Sequence, residues 1–102
     1  MNQLIKEKLP DLRRLCQTYD VKSMYVFGSA NNGQFKSTSD VDFLVSFKKE
    51  ISIEKYTDNY FNLHYKLEEL LNRKIDLLTE NSLSNPYFIE GVEASKELLY
   101  AA

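Results

Sequence analysis

Gly28-Ser29, ten intervening residues, Asp40-Val41-Asp42 and, further along, Asp76 are the residues whose types and spacing point to chemistry in this chain. A glycine at the end of a strand brings backbone close to a phosphate with no Cβ in the way. A serine opening the next turn offers a hydroxyl as well as an amide donor. Gly28 and Ser29 therefore suit the tail of a nucleoside triphosphate. Asp40 and Asp42 are two apart, so on a strand their carboxylates project from one face, and Mg²⁺ is commonly held by one or two carboxylates together with substrate phosphates. Asp76 is the strand-borne candidate for a third carboxylate. It would complete a two-metal arrangement, in which one ion activates the attacking oxygen and the other steadies a leaving pyrophosphate. Without cations such a cluster repels itself and costs stability. The bland alternative is that Asp40 and Asp42 guard a sheet edge against aggregation, but edge protection asks for neither the Gly-Ser turn nor Asp76.

These groups need elements to hold them. Ser23 to Phe27 is an aromatic and β-branched run that stops at Gly28, which predicts a short buried strand and a tight turn. Residues 31–39 are dominated by turn formers and predict a loop. Asp40 to Phe47 alternates, with Val41, Phe43, Val45 and Phe47 on one face and Asp40, Asp42, Leu44 and Ser46 on the other. Ile75 to Thr79 alternates likewise and turns Asp76 and Leu78 to one side.

Helical spacing fills the remainder. Leu4, Ile5, Leu9, Leu12, Leu15, Cys16 and Tyr19 make one apolar stripe, and Pro10 predicts a break or kink near Leu9 before the helix resumes. Ser52 caps a long helix with Glu54 in its first turn and Ile53, Tyr56, Tyr60, Leu63, Leu67 and Leu70 as its stripe. Pro86 suits the first position of a final helix whose apolar side is Tyr87, Phe88, Val92 and Ala94. Leu98, Leu99 and Tyr100 fit a closing strand or a helical tail.

A length of 102 residues suits a single domain spanning 1–102, and 43% hydrophobic with 27% charged residues permits a modest core. Thirteen Lys and Arg against fifteen Asp and Glu give a net charge of −2, so no general basic field draws in duplex DNA. One cysteine, Cys16, and one histidine, His64, exclude a disulfide framework and a Cys/His zinc site, so any metal must be oxygen-ligated. Lys6, Glu7 and Lys8 near the start, and the lack of a long apolar run, predict neither a signal peptide nor a membrane span, and a reducing cytoplasm is expected. His64 reads as a boundary residue of the long helix rather than an acid or base, and Cys16 as core rather than nucleophile. Phe61 and Tyr65, one turn apart and off the stripe, are either plain exposure or a partner contact. Lys48-Lys49 and Arg73-Lys74 read as solvated surface, with a phosphate-facing role for Lys74 as the sharper option.

Gly28-Ser29, Asp40-Val41-Asp42 and Lys74-Ile75-Asp76-Leu77-Leu78 together resemble the signature of the minimal nucleotidyltransferase group within the DNA polymerase β-like nucleotidyltransferase superfamily. Leu9-Pro10-Asp11-Leu12, Tyr25-Val26-Phe27, Asn85-Pro86-Tyr87 and Leu98-Leu99-Tyr100 are also similar to stretches of these small proteins. The resemblance implies an α/β (α+β) fold, a mixed β-sheet of about four strands flanked by helices. It implies ATP as substrate and Mg²⁺ as cofactor, bound at Gly28, Ser29, Asp40, Asp42 and Asp76, with Asp76 helping to deprotonate the acceptor. Many members are encoded beside a helical HEPN-type toxin and act as its antitoxin by transferring AMP to a tyrosine on it, so such a toxin is the implied partner. The family often has an arginine shortly after Gly-Ser; here the chain reads Ala30-Asn31-Asn32-Gly33, which leaves Lys36 as the loop's candidate to neutralise the triphosphate. The missing arginine keeps open a relative that neutralises a toxin by binding alone. A nucleic-acid 3′-end transferase subunit is a third reading, and it requires a basic groove.

Overall fold

Two alternating runs make the centre of a sheet. In the computed structural model, which describes residues 2–28, 40–80 and 83–102, β1 (Val21–Phe27) pairs antiparallel with β2 (Val41–Phe47). β3 (Ile75–Thr79) lies parallel to β2 on one side, and β4 (Glu97–Ala101) lies antiparallel to β1 on the other, for an order β3-β2-β1-β4. The helices are α1 (Gln3–Thr18), α2 (Ile53–Leu71) and α3 (Pro86–Ser95). This is the mixed sheet with flanking helices that the sequence predicts. The parallel step from β2 to β3 needs a crossover, and α2 supplies it.

α1 and α2 cover one face. Ile5, Leu12 and Cys16 from α1 and Leu63, Leu67 and Leu71 from α2 pack with Val41, Phe43, Val45, Ile75 and Leu77 in the main core. The opposite face carries a smaller cluster of Phe27, Leu44 and Val92, so α3 sits there. No helix among the described residues is long and apolar enough to cross a membrane.

Of the break or kink expected at Pro10, the break does not occur: α1 runs through it. A proline inside a helix costs roughly 3 kcal/mol, whereas each large apolar side chain buried contributes about 1.5–3 kcal/mol. Ile5, Leu12 and Cys16 stay in phase on either side and are wholly buried, while Pro10 faces solvent, where water can serve the carbonyl it leaves bare.

Ser52 caps α2 as expected, its side chain accepting from the amide of Lys55, but Ile53 is not part of the stripe and is 82% exposed. The buried positions are Asn59, Leu63, Leu67 and Leu71, while Tyr56, Tyr60 and Leu70 of the expected stripe pack against the core partly buried. Asn59 is tolerated in the core since its amide donates to Asp20 at 3.0 Å, and Asp20 turns the chain from α1 into β1 with a left-handed φ of 58°. Asn85 caps α3, and Pro86 takes its first position. Only Val92 of that helix is buried: Tyr87 and Ala94 face solvent and Phe88 meets Phe27 edge-on at 6.2 Å. Leu98 to Tyr100 form strand, with a register shift against β1 between Met24 and Tyr25, and Arg13 of α1 donates to the carbonyl of Leu99 at 3.2 Å.

Candidate active site

Three strands meet at Asp42. The parallel register of β2 and β3 sets it opposite Asp76, and the antiparallel register with β1 sets it opposite Phe27, the residue before Gly28. Period-two alternation sends Val41 and Phe43 into the main core and turns Asp42 and Asp76 to the α3 side. Gly28 has φ +71°, and a Cβ built on it would lie 2.5 Å from Asp42 Oδ2. Glycine therefore fits best: a side chain here would be strained by the backbone and would push the Asp42 carboxylate aside. The end of α3 holds this turn: the Gly28 amide donates to Ser95 Oγ at 3.3 Å, and the Ser95 hydroxyl donates to the Gly91 carbonyl at 3.0 Å.

Asp42 is half-buried, and its carboxyl is pushed up from 3.8 to about 6, first by burial, then by the hydrogen bond with Asp76, and then by the charges of Asp76 and Asp40. Two carboxyl groups in such contact share a proton more readily than they ionise together. Asp40, half-buried just before β2, acts on Asp42 through its charge. The contact pair is thus Asp42 with Asp76. Among the described residues no group of three or more His, Cys, Asp or Glu is already drawn together to hold a metal ion. The donors are nevertheless all carboxylate oxygens, hard ligands that suit Mg²⁺, and a bound cation would offset the negative charge gathered beside Asp42. The residues present fit such an ion.

Ser29 and Lys36 lie outside the described residues. Lys74 is exposed, and its carbonyl accepts from the Val41 amide at 3.1 Å. Cys16 is core, as expected: burial pushes its thiol up to about 12. His64 sits at the border of the long helix's buried face, as expected, and its Nε2 lies 2.8 Å from the Ile75 carbonyl. Sequence reasoning missed Ser95, Tyr60 and His64 as supports of this site. The one signal available was that Tyr60 and His64 are four apart on a helix, hence neighbours on its surface.

The family described as polymerase beta, nucleotidyltransferase matches residues 11–102. The chain belongs to this family. Among relatives of this polymerase beta nucleotidyltransferase domain, a Methanocaldococcus jannaschii protein provisionally named a protein adenylyltransferase is 37% identical over 97 residues, spanning 94% of this chain and 93% of that protein. The protein adenylyltransferase MntA of Thermococcus cleftensis is 36% identical over 73 residues, 72% of this chain and 70% of that protein. Of solved structures, a toxin-antitoxin crystal structure with AMP-PNP aligns over 92% of this chain and 73% of its own, at a TM-score of 0.71 and 21% identity. A tri-AMPylated Shewanella oneidensis HEPN toxin in complex with MNT antitoxin aligns over 95% and 72%, at a TM-score of 0.64 and 19% identity. These structural likenesses establish the minimal nucleotidyltransferase fold.

Proposed function

We propose that this chain transfers AMP from ATP to a hydroxyl, a tyrosine of a HEPN-type toxin, and acts as that toxin's antitoxin in the cytoplasm. The observation that carries the reading is the Asp42–Asp76 pair, set by strand register beside the left-handed Gly28 turn. Relatives named protein adenylyltransferases, and fold neighbours crystallised with AMP-PNP or as an AMPylated HEPN complex, support the nucleotide and the acceptor class.

In this reading Gly28 and Ser29 seat the triphosphate tail, and Lys36 offsets its charge. Asp40, Asp42 and Asp76 would hold Mg²⁺, which would supply positive charge against the triphosphate and the departing pyrophosphate. Asp76, the most exposed of the three, also takes the acceptor's proton. The acceptor oxygen bonds to the α-phosphorus, the bond from that phosphorus to the β-bridging oxygen breaks, and pyrophosphate leaves. A domain of this size holds a nucleotide but offers little to grip a large acceptor, so a second chain brings the hydroxyl.

The test is incubation with labelled ATP, Mg²⁺ and a HEPN-type toxin from the same genome. Label is expected on the toxin, and none when Asp40 and Asp42 are both changed to Asn. Persistent label in the double variant rejects the assignment. Unlabelled toxin that is still neutralised by the double variant favours binding alone, the reading that Ala30-Asn31-Asn32-Gly33 supports by lacking a basic residue.

A further inference from the structure

Tyr60 and His64 stand four apart on α2, and both reach the backbone of β3. The Tyr60 hydroxyl donates to the Leu77 carbonyl at 2.7 Å, and His64 Nε2 lies 2.8 Å from the Ile75 carbonyl. A carbonyl only accepts, so Nε2 carries the hydrogen. The two carbonyls belong to the residues on either side of Asp76. Among the described residues β3 is an outer strand paired with β2, and the bond from the Val41 amide to the Lys74 carbonyl fixes which row of its carbonyls turns toward β2. By alternation the carbonyls of Ile75 and Leu77 face away from β2, toward an edge that no strand among the described residues covers. The donors are themselves braced: the Tyr60 and His64 rings stack at 6.4 Å and 29°, and Phe61 meets Tyr60 edge-on at 5.3 Å.

We propose that Tyr60 and His64 are positioning residues for Asp76, pinning the β3 backbone on both sides of it so that its carboxylate stays opposite Asp42. The inference rests on the reading of Asp42 and Asp76 as metal-holding groups, and it adds the device that keeps an edge-strand acid in place. The same bonds close the edge of the sheet to strand addition. Edge closure by itself, however, predicts no effect on a bound cation, whereas positioning does.

Four variants test it: Tyr60→Phe removes the hydroxyl and keeps the ring, His64→Leu removes the donor, His64→Gln restores an N–H, and Tyr60→Phe with His64→Leu removes both bonds. Amide exchange at Asp76 is read without any ligand, Mn²⁺ affinity by calorimetry, and kcat against KM with ATP and toxin. In the double variant Asp76 exchange is expected to quicken, and Mn²⁺ affinity and kcat to fall about tenfold each, the scale typical of supports behind metal ligands, with KM for ATP within about twofold. His64→Gln is expected to stay within about twofold of the parent on all readouts, against His64→Leu. Parent-like exchange at Asp76 in the double variant overturns the proposal. So do faster exchange with unchanged Mn²⁺ affinity, and equal losses in His64→Gln and His64→Leu. If the double variant does not fold, Tyr60→Phe alone is held to the same outcomes. A parent chain that binds no Mn²⁺ and transfers no nucleotide sinks the functional reading, and ligand-free exchange at Asp76 then decides the positioning claim by itself.

Discussion

The two faces of the sheet do different work, and β2 belongs to both. On one side Val41, Phe43 and Val45 are wholly excluded from water beneath α1 and α2. On the other, Leu44 shares a small cluster with Phe27 and Val92, and the remaining surface is given to Asp42, Asp76 and the Gly28 turn. Neighbours in sequence, Asp42 and Phe43 thus have opposite relations to stability. The apolar face stabilises the fold; the polar face holds Asp42 against Asp76 closely enough to hinder the ionisation of Asp42. Such a site is tolerable because the stabilisation is gathered elsewhere.

That contrast can be broken most severely by changing Asp40 and Asp42 together to Asn, which should lower nucleotide transfer by about 10⁴-fold, read by label on the acceptor, without unfolding the chain. On the other face Leu63→Ala should leave the acids in place yet cost about 2–5 kcal/mol in denaturant unfolding, because Leu63 is wholly buried. Gly28→Ala should cost about 1–3 kcal/mol and weaken ATP binding in calorimetry, since its φ is +71° and its Cβ would collide with Asp42.

A pH series sharpens the comparison further. A carboxyl raised to about 6 in the fold from 3.8 holds its proton more tightly when folded, so its contribution to stability is most favourable below about 4 and declines as pH rises through 6. Asp20 runs the other way, its carboxyl held low first by its hydrogen bonds to Asn59 and Lys55, and it loses its contribution in acid. The difference in thermal unfolding between the parent and Asp42→Asn isolates the first effect: the variant should gain on the parent above pH 6, and added Mg²⁺ should close the gap. The smallest change is Ser52→Ala, expected to cost about 1 kcal/mol through the lost cap of α2 and to leave transfer unchanged.

Much of this arrangement is legible in the residues. The alternation of Asp40 to Phe47 already divides β2 between its faces, and Ser52 and Pro86 mark where α2 and α3 begin. Pro10 misleads because local propensity knows nothing of the core that α1 joins. Ile53 and Tyr87 mislead for a related reason: spacing gives the face of a helix but not how much of that face finds a partner, and both side chains are exposed. Within the site, the acids themselves can be named from sequence. The register that puts Asp42 opposite Asp76 cannot, since it depends on how the α2 crossover seats β3. Ser95, Tyr60 and His64 act through hydrogen bonds to distant backbone, contacts that no residue type announces.

The place of β4 beside β1 bears on how the molecule is made. Met24 pairs with Tyr100, so a chain emerging from the ribosome can assemble β1, β2 and β3, and with them both acids, while one flank of β1 is still bare. The Gly28 turn gains its tether only when Ser95 emerges, and the bare flank is covered a few residues later. In chain order the carboxylates of β2 and β3 thus precede the segment that secures the turn facing them, and the flank of β1 stays open to strand addition until β4 pairs with it.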